Sequence, residues 1–222
     1  MAESKPHIYK STESGVIINE KKSYIITKRF MDILLSLIGI FLLLPLFIII
    51  GILIKVEDRK GSVIFKQERV GKNGEIFHIY KFRSMVSNAE EMLIDLLDKN
   101  EASGPLFKIK EDPRITKIGK LLRKTSIDEL PQLINVLKGE MSLVGPRPAL
   151  PREVNEYSMY ENQRLSVLPG LTCFWQVEGR SNLGFKEQVE LDIKYIQLRS
   201  FKTDIILIIK TVFVLFGSKD AY

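Results

Sequence analysis

The longest apolar run in the chain covers residues 33–54 and contains no charged side chain. A helix that crosses a bilayer needs about 20 apolar residues, so the run is long enough to span. Pro45 lies near its middle, where it disrupts helical hydrogen bonding. A spanning helix concentrates basic residues on one side, but here they flank both: Lys28, Arg29, Lys55, Arg59 and Lys60. The pattern predicts a membrane segment over residues 28–58 and leaves its topology open between a re-entrant helical hairpin and a single-pass anchor that tolerates the proline.

A second apolar segment, residues 205–216, is too short to span a membrane and carries Lys210. It predicts either a helix lying in the membrane interface or a terminal helix buried in the core. Residues 1–27 are polar, show no periodic pattern and form a predicted leader. The rest of the chain, residues 59–222, is expected to form one compact domain.

The segment after the membrane run predicts a β-hairpin. Residues 62–70 and 75–83 are rich in Val, Ile, Phe and Tyr, and the sequence Gly-Lys-Asn-Gly separates them. Residues 84–100 carry apolar side chains at helical spacing and predict a helix, with Ser87 or Asn88 as its cap.

Further helices are predicted at residues 115–124, 130–137 and 187–198. The first has an apolar stripe among basic residues, which suits a helix on anionic lipid or a solvated helix face. The stop of the second is expected near Gly139. Together these patterns predict a mainly α fold with a small β-hairpin, an N-terminal membrane helix and basic amphipathic interfacial helices.

Composition narrows the class of partner. The chain has 33 Lys and Arg residues against 27 Asp and Glu, a net charge of +6, which favours anionic lipid, phosphate-bearing small molecules or nucleic acid. Because the charge is modest and aromatic residues are not interleaved with basic ones, we do not expect nucleic acid. The single cysteine, Cys173, excludes an internal disulfide and suits a cytoplasm-facing chain. Two histidines are too few for most zinc sites.

Two adjacent carboxylates, Asp128 and Glu129, are the first candidates for chemistry. Pro131 follows them and is accepted in the first turn of a helix, so both acids lie at or just before a helix N-terminus. Free N–H groups and the helix dipole stabilise negative charge there. A carboxylate kept ionised can act as a nucleophile or a metal ligand. The alternative is a capping box formed by Ser126 and Glu129, with no catalytic role.

Basic residues on stiffened turns form a second candidate group. Arg114, Arg147 and Arg180 each lie beside proline or glycine, and Lys81 and Arg83 end the predicted hairpin. The planar guanidinium fork matches phosphate oxygens, and a fixed backbone lowers the entropic cost of aiming it. Each residue alone could equally be a surface residue or a partner in an ion pair at the edge of the core.

Several motifs together resemble those of a known family. They are KRFMDILLS from Lys28, the pentapeptide KFRSM from Lys81, DPRITKIGKLLRKTSIDELPQLINVLKGEMSLVGPRP from Asp112, and LPGLTCFWQVEGRS from Leu168. The chain from about Lys28 onward is similar to the bacterial sugar transferases, the monotopic polyprenyl-phosphate phosphoglycosyl transferases. Their membrane break is often Ser-Pro, whereas this chain has Leu44-Pro45. That difference weakens any carried-over role for the serine but leaves the proline in place. The resemblance implies that the membrane helix is re-entrant, with its break at Pro45.

The resemblance implies a reaction at the cytoplasmic face of the bacterial plasma membrane. A UDP-sugar would donate its sugar phosphate to undecaprenyl phosphate and release UMP, the first membrane step of capsule or exopolysaccharide synthesis. Asp128 would be the nucleophile and a ligand of Mg²⁺, with Glu129 as its partner. Donor or phosphate binding is implied for a further set of residues: Lys81, Arg83, Arg114, Arg147, Arg180 and Asp192. Residues 59–222 would then be the cytoplasmic sugar transferase domain.

Two rival functions follow from the same residues. One is a membrane-bound glycosyltransferase that transfers the sugar alone and releases UDP. The other is a non-enzymatic, membrane-anchored basic module that binds anionic lipid or nucleic acid, the latter disfavoured by the modest charge. The identity of the sugar is not encoded in any pattern that we find, and the oligomeric state is left open, a homo-oligomer included.

Overall fold

The computed structural model describes residues 18–107, 109–179 and 183–217, with side chains as far as residue 214. Its α-helices are α1 (Lys22–Glu57), α2 (Lys117–Lys124), α3 (Leu133–Lys138), α4 (Pro151–Val154), α5 (Met159–Asn162), α6 (Phe174–Glu178), α7 (Phe185–Leu198) and α8 (Phe201–Gly217). The strands are β1 (Ile64–Val70), β2 (Ile76–Phe82), β3 (Ser142–Val144) and β4 (Gly170–Thr172). Short 3₁₀ helices cover Lys72–Gly74, Glu91–Lys99, Ile127–Gln132 and Gln163–Ser166. The predicted mainly helical fold with a small hairpin is confirmed.

The hairpin is formed by β1 and β2, which pair antiparallel from Ile64 opposite Phe82 to Val70 opposite Ile76. Its turn places Asn73 and Gly74 in the left-handed region, with φ of 57° and 84°. Asparagine and glycine tolerate that region better than other residues, which explains why the sequence turns there. A second pair, β3 and β4, is parallel. The sequence patterns did not predict it.

Predicted and observed helices agree in position more than in detail. Helix α3 ends at Gly139 with a φ of 86°, where the stop was expected. Helix α7 begins at Phe185, two residues before the predicted start. Residues 84–100 contain the 3₁₀ helix Glu91–Lys99, whose preceding residue Glu90 makes no side-chain cap. The prediction of a cap at Ser87 or Asn88 was therefore wrong.

Helix α1 is the longest element, with 36 residues, and it continues through Pro45. In the described part of the chain, it alone is long and apolar enough to cross a membrane, by length and composition. Large apolar side chains in its middle are exposed, among them Phe41 at 74% and Leu42 at 68%. An apolar surface of this size is unfavourable in water and suits contact with lipid.

Both ends of α1 contact the same segment, which runs from α2 to α3. Near its start, Arg29 donates to the carbonyls of Val136 and Leu137 at 2.6 and 2.7 Å, at the C-terminal end of α3. At its end, the carboxylate of Glu57 accepts from the backbone N–H groups of Lys117 and Ile118 at the start of α2, at 2.8 and 3.1 Å. Helix α1 therefore caps this segment at both ends.

A buried polar network joins the start of α1 to α8. Lys28 Nζ donates to Asp204 Oδ2 at 2.9 Å and to the carbonyl of Val144 at 2.9 Å. Tyr24 and Tyr195 donate to the same Asp204 carboxylate at 3.0 and 2.8 Å. Asp204 is fully buried. Lys28 and Arg29 are thus internal contacts of the fold, although the sequence placed them in a basic membrane flank.

Helix α8 combines the two alternatives left open for residues 205–216. Asp204 and Leu207 are buried near its start and pack into the core with α7. Further along, Ile209 and Phe213 are exposed, the latter at 72%. The first turns of α8 are therefore part of the core, and its later turns present an apolar surface.

Replacing Asp204 with Asn should lower the free energy of unfolding by about 3–5 kcal/mol, because it leaves the Lys28 ammonium buried without its counter-charge. Denaturant titration in detergent, followed by circular dichroism, measures this loss. Lys138→Met, which breaks the exposed pair with Glu140, is the control and should cost less than about 1 kcal/mol. Equal losses in the two variants would contradict the importance of the buried network.

Candidate active site

A cleft of about 1940 Å³ lies between the hairpin, the 3₁₀ helix Ile127–Gln132 and the residues that follow β3. We call it the central cleft. Asp128 and Glu129 line it, and so do many basic side chains: Arg69, Lys81, Arg83, Arg114, Arg123, Arg147 and Arg152. Four more acids and two more lysines also line it: Glu68, Glu90, Glu101, Asp112, Lys66 and Lys110. Basic side chains outnumber the carboxylates, which suits a ligand with several negative charges.

Local backbone geometry turns Asp128 into the cleft. Ser126, the residue before the 3₁₀ helix Ile127–Gln132, has a φ of 55°, a conformation that non-glycine residues rarely adopt. Its side chain makes no cap hydrogen bond. The capping box proposed as the alternative is therefore not formed, and Glu129 is engaged elsewhere. Asp128 itself is buried, with 7% of its surface exposed.

Lys81 connects the hairpin to this carboxylate pair. Its Nζ donates to Glu129 Oε1 at 2.6 Å, a short charge-assisted hydrogen bond between residues 48 positions apart in the chain. Lys81 lies on β2, which packs on the 3₁₀ helix Ile127–Gln132. The hairpin thus delivers a fixed positive charge beside the two acids.

The two carboxylates are shifted in opposite directions. Burial raises the pKa of Asp128 to about 6, and the neighbouring Glu129 charge adds to the shift while Lys81 opposes it. Burial acts in the same direction on Glu129, but the charge and hydrogen bond of Lys81 outweigh it and hold the pKa of Glu129 below its ordinary value. At neutral pH both groups are ionised, and Asp128 is the more basic and the more nucleophilic.

The remaining predicted basic residues reach the central cleft through different contacts. Arg83 donates to Asp58 Oδ2 at 3.4 Å and to Ser62 Oγ at 2.9 Å. Arg114 forms a buried ion pair with Asp112 at 2.6 Å. Arg147 donates to the buried Glu153 at 3.2 Å and stays half-buried. All three line the cleft, so the structure brings six of the predicted residues together: Asp128, Glu129, Lys81, Arg83, Arg114 and Arg147.

Two predicted residues are not part of this group. Asp192 is fully buried in an ion pair with Arg164 at 2.7 Å and does not line the central cleft. Burial raises the pKa of Asp192, while the charge of Arg164 opposes that shift. Arg180 lies outside the described residues.

Sequence reasoning missed Arg69, which lies on β1 and is buried at 6% exposure. Its guanidinium lines the central cleft and donates to the carbonyl of Pro148 at 3.0 Å and to Gln67 Oε1 at 2.8 Å. The available signal was weak. It consisted of one arginine near the end of a strand in which exposed and less exposed residues otherwise alternate.

Asp128 and Glu129 suit a magnesium site in which the protein supplies only one or two ligands. The described residues contain no group of three or more His, Cys, Asp and Glu side chains that could hold a metal by themselves. Mg²⁺ commonly binds proteins through one or two carboxylates and completes its shell with water and substrate phosphates. Asp128 and the adjacent Glu129 match that donor set in the cleft.

The chain thus combines a lipid-compatible N-terminal helix with a cation-rich cleft that contains a buried carboxylate. A profile of the family described as "Bacterial sugar transferase" matches residues 23–218. The chain belongs to the bacterial sugar transferase family.

Characterised relatives share most of this chain. "Galactosyl transferase CpsE" of Streptococcus agalactiae is 49% identical over 193 residues, which are 86% of this chain and 42% of CpsE. "Undecaprenyl-phosphate galactose phosphotransferase" of Salmonella typhimurium is 41% identical over 91% of this chain and 43% of its own length. "Exopolysaccharide production protein ExoY" of Sinorhizobium fredii is 37% identical over 89% and 88%. The chain thus spans less than half of the first two relatives and most of the third.

The raised pKa of Asp128 predicts a pH-dependent difference in stability from Asp128→Asn. Between an unfolded pKa of about 3.9 and a folded pKa of about 6, the unfolded carboxyl ionises first. Wild-type stability should therefore fall relative to the variant as pH rises through this window. At about 1.4 kcal/mol per pKa unit, the difference reaches about 3 kcal/mol above pH 6.

Denaturant titrations of both proteins between pH 4 and pH 8 measure this difference. Asp98→Asn, which removes an exposed carboxylate, is the matched control. A difference between wild type and Asp128→Asn that stays constant across the range would show that Asp128 ionises normally in the folded protein.

Proposed function

We propose that the chain is a phosphoglycosyl transferase. It moves a sugar 1-phosphate from a UDP-sugar to undecaprenyl phosphate and releases UMP. The observation that carries the proposal is the buried Asp128 carboxylate, which lines a cation-rich cleft beside the Lys81–Glu129 pair. The name of the Salmonella typhimurium relative, a phosphotransferase acting on undecaprenyl phosphate, supports the acceptor and the type of group transferred.

In the first step, a carboxylate oxygen of Asp128 attacks the phosphorus that carries the sugar. A bond forms between Asp128 and this phosphorus, the bond to the bridging oxygen breaks, and UMP leaves with the electron pair. In the second step, a phosphate oxygen of undecaprenyl phosphate attacks the same phosphorus. The bond to Asp128 breaks and its carboxylate is regenerated. A nucleophile with a pKa of about 6 is ionised at neutral pH and needs no separate base.

The surrounding residues supply charge and position. Lys81 pairs with Glu129, and its positive charge favours the ionised form of Asp128, which burial and the Glu129 charge oppose. Arg114 and Arg147 present guanidinium groups to the donor phosphates. Arg83 braces the end of the hairpin against Asp58. Asp192, which pairs with Arg164, stabilises the core behind α7.

Asp128, with Glu129 beside it, would hold Mg²⁺ in this proposal. When bound, the ion neutralises the charge of the diphosphate oxygens during transfer. Binding of the donor then depends on both the cation-rich wall and the carboxylate pair.

The proposed location is the cytoplasmic face of the bacterial plasma membrane, with α1 re-entrant. Both ends of α1 contact the segment from α2 to α3 through Arg29 and Glu57. A helix that crossed the bilayer would put these ends on opposite sides, where a single folded domain does not reach both. Because the middle of α1 is apolar and exposed, it enters the lipid and its ends stay at the surface.

Incubating the detergent-purified protein with undecaprenyl phosphate, Mg²⁺ and a panel of UDP-sugars should release UMP with one of them. Asp128→Asn should abolish the release, by at least about 10³-fold, because an amide is not a nucleophile here. Asp98→Asn is the control and should retain activity. Release of UDP would favour the glycosyltransferase, and activity that survives in Asp128→Asn would remove Asp128 from the mechanism. No release with any sugar would favour the binding module.

The re-entrant topology predicts that both flanks of α1 are cytoplasmic. In a Cys173→Ser background, Lys21→Cys and Lys60→Cys place a thiol on either side of the helix at exposed positions. A membrane-impermeant maleimide should label neither in intact spheroplasts and both after permeabilisation. Labelling of one of them in intact cells would establish a single-pass anchor.

A further inference from the structure

Arg69 has an unusual environment for a buried cation. Its side chain is more than nine-tenths buried, and its two hydrogen-bond acceptors, the carbonyl of Pro148 and Gln67 Oε1, are both neutral. Its Nε is buried and has no hydrogen-bond partner. A buried charge is normally paired, because desolvating it alone costs several kcal/mol. Arg69 therefore has capacity for an anion that the protein itself does not provide.

Nearby carboxylates are already committed to other cations. Glu153 pairs with Arg147 at 3.2 Å and accepts the N–H of Leu150 at 2.9 Å. Glu129 pairs with Lys81 at 2.6 Å. Among the described residues, no ion pair involves Arg69, whereas the positive charge of Arg147 lies close enough to act on it. Burial and this like charge lower the pKa of Arg69 to about 9, so the guanidinium is still charged at neutral pH.

Hydrogen bonds place the cations of the central cleft that matter here. Lys81 donates to Glu129, the neighbour of Asp128, at 2.6 Å. Arg69 donates to the carbonyl of Pro148, the residue after Arg147, at 3.0 Å. One cation therefore lies beside the carboxylate pair, and two guanidinium groups lie together at the turn after β3. A diphosphate has two charged centres joined by one oxygen and matches this division.

We propose that Arg69 and Arg147 bind the nucleotide phosphate of the donor, the phosphate that leaves as UMP. This inference rests on the proposed function. With the sugar-bearing phosphorus at Asp128, the second phosphate of the same molecule binds the two guanidinium groups, which line the same cleft. The planar forks of two arginines suit a phosphate that carries two or three free oxygens.

The negative charge that develops on the UMP phosphate during the first step gives Arg69 a role in the reaction rate as well as in binding. When Asp128 bonds to the sugar-bearing phosphorus, the bridging oxygen leaves with its electron pair and the UMP phosphate gains one negative charge. No proton is transferred in this step. Fixed donors aimed at developing charge stabilise the transition state more than the ground state. The guanidinium of Arg69 needs no reorganisation at that moment, because Pro148 and Gln67 already hold its two Nη groups.

A purely structural role for Arg69 is the competing explanation. The side chain joins β1 to the turn at Pro148. The backbone already makes this connection, since the N–H of Val70 donates to the carbonyl of Ala149 at 2.9 Å. A structural brace would affect both half-reactions, whereas a site for the nucleotide phosphate affects only the one that releases UMP.

The experiment separates the two half-reactions in wild type, Arg69→Met, Arg69→Lys and Gln67→Leu. Single-turnover release of UMP without acceptor measures the first. Discharge of the sugar phosphate from the isolated enzyme by undecaprenyl phosphate measures the second. Inhibition of the overall reaction by added UMP measures affinity for the leaving group. Lys72→Met, which removes one exposed charge from the turn of the same hairpin, is the matched control.

Arg69→Met should slow UMP release by about 10²-fold or more and raise the inhibition constant of UMP by about 10-fold or more. Its discharge rate should equal that of wild type. Arg69→Lys should restore part of the loss, and Lys72→Met should behave as wild type. If Arg69→Met does not fold, Gln67→Leu provides the test instead. This variant removes the acceptor that positions one Nη group of Arg69 and keeps the positive charge. Its inhibition constant for UMP should rise.

Two outcomes overturn the assignment. In one, the rate of UMP release and the inhibition constant of UMP are the same in the Arg69 variants as in wild type. The same result for Gln67→Leu counts if Arg69→Met does not fold. The other is an equal fall in both half-reactions, as a brace would cause. Failure of the proposed function looks different, because wild type itself would then release UDP or nothing.

Discussion

Two charged side chains on α1 hold the segment that carries the candidate nucleophile. Arg29 satisfies carbonyls at the C-terminal end of α3, and Glu57 satisfies N–H groups at the start of α2. Each has the sign that complements the helix dipole at its end. Between these caps lies the turn at Ser126, whose left-handed backbone is unfavourable for a residue with a side chain. Such a conformation persists only where its surroundings fix it, and the capped ends, with the hairpin above, provide that restraint.

The same arrangement explains how neighbouring acids acquire different properties. Asp128 is buried where Lys81 reaches it only as a nearby charge, so its proton is held more tightly. Glu129 receives the direct hydrogen bond and loses its proton more easily. In many active sites, two titratable groups take different roles because their environments shift their pKa values in opposite directions. Here the separation depends on the hairpin, since Lys81 comes from β2.

Local patterns predicted what local interactions determine. The hairpin turn at Asn73 and Gly74 and the stop at Gly139 both follow from residues that accept a positive φ. The parallel pairing of β3 with β4 was missed because each strand has three residues and their partners lie 28 positions apart. Asp128 was identified from Pro131 and from the family resemblance, but the residues that surround it were not predictable from local patterns. Lys81 meets Glu129 across 48 residues of chain, and burial of Arg69 depends on the turn after β3.

The caps on α1 also bear on how this protein can be handled and how it can vary. A chain that lacked α1 would expose the partners of Ile50 and Ile54, namely Phe82 and Leu122. It would also leave polar groups unsatisfied at both ends of the segment that carries Asp128. Helix α1 is therefore not detachable, and trimming it would not leave an intact folded domain. Exchange of α1 between relatives is restricted in the same way, because a replacement helix must carry counterparts of Arg29 and Glu57 at matching positions.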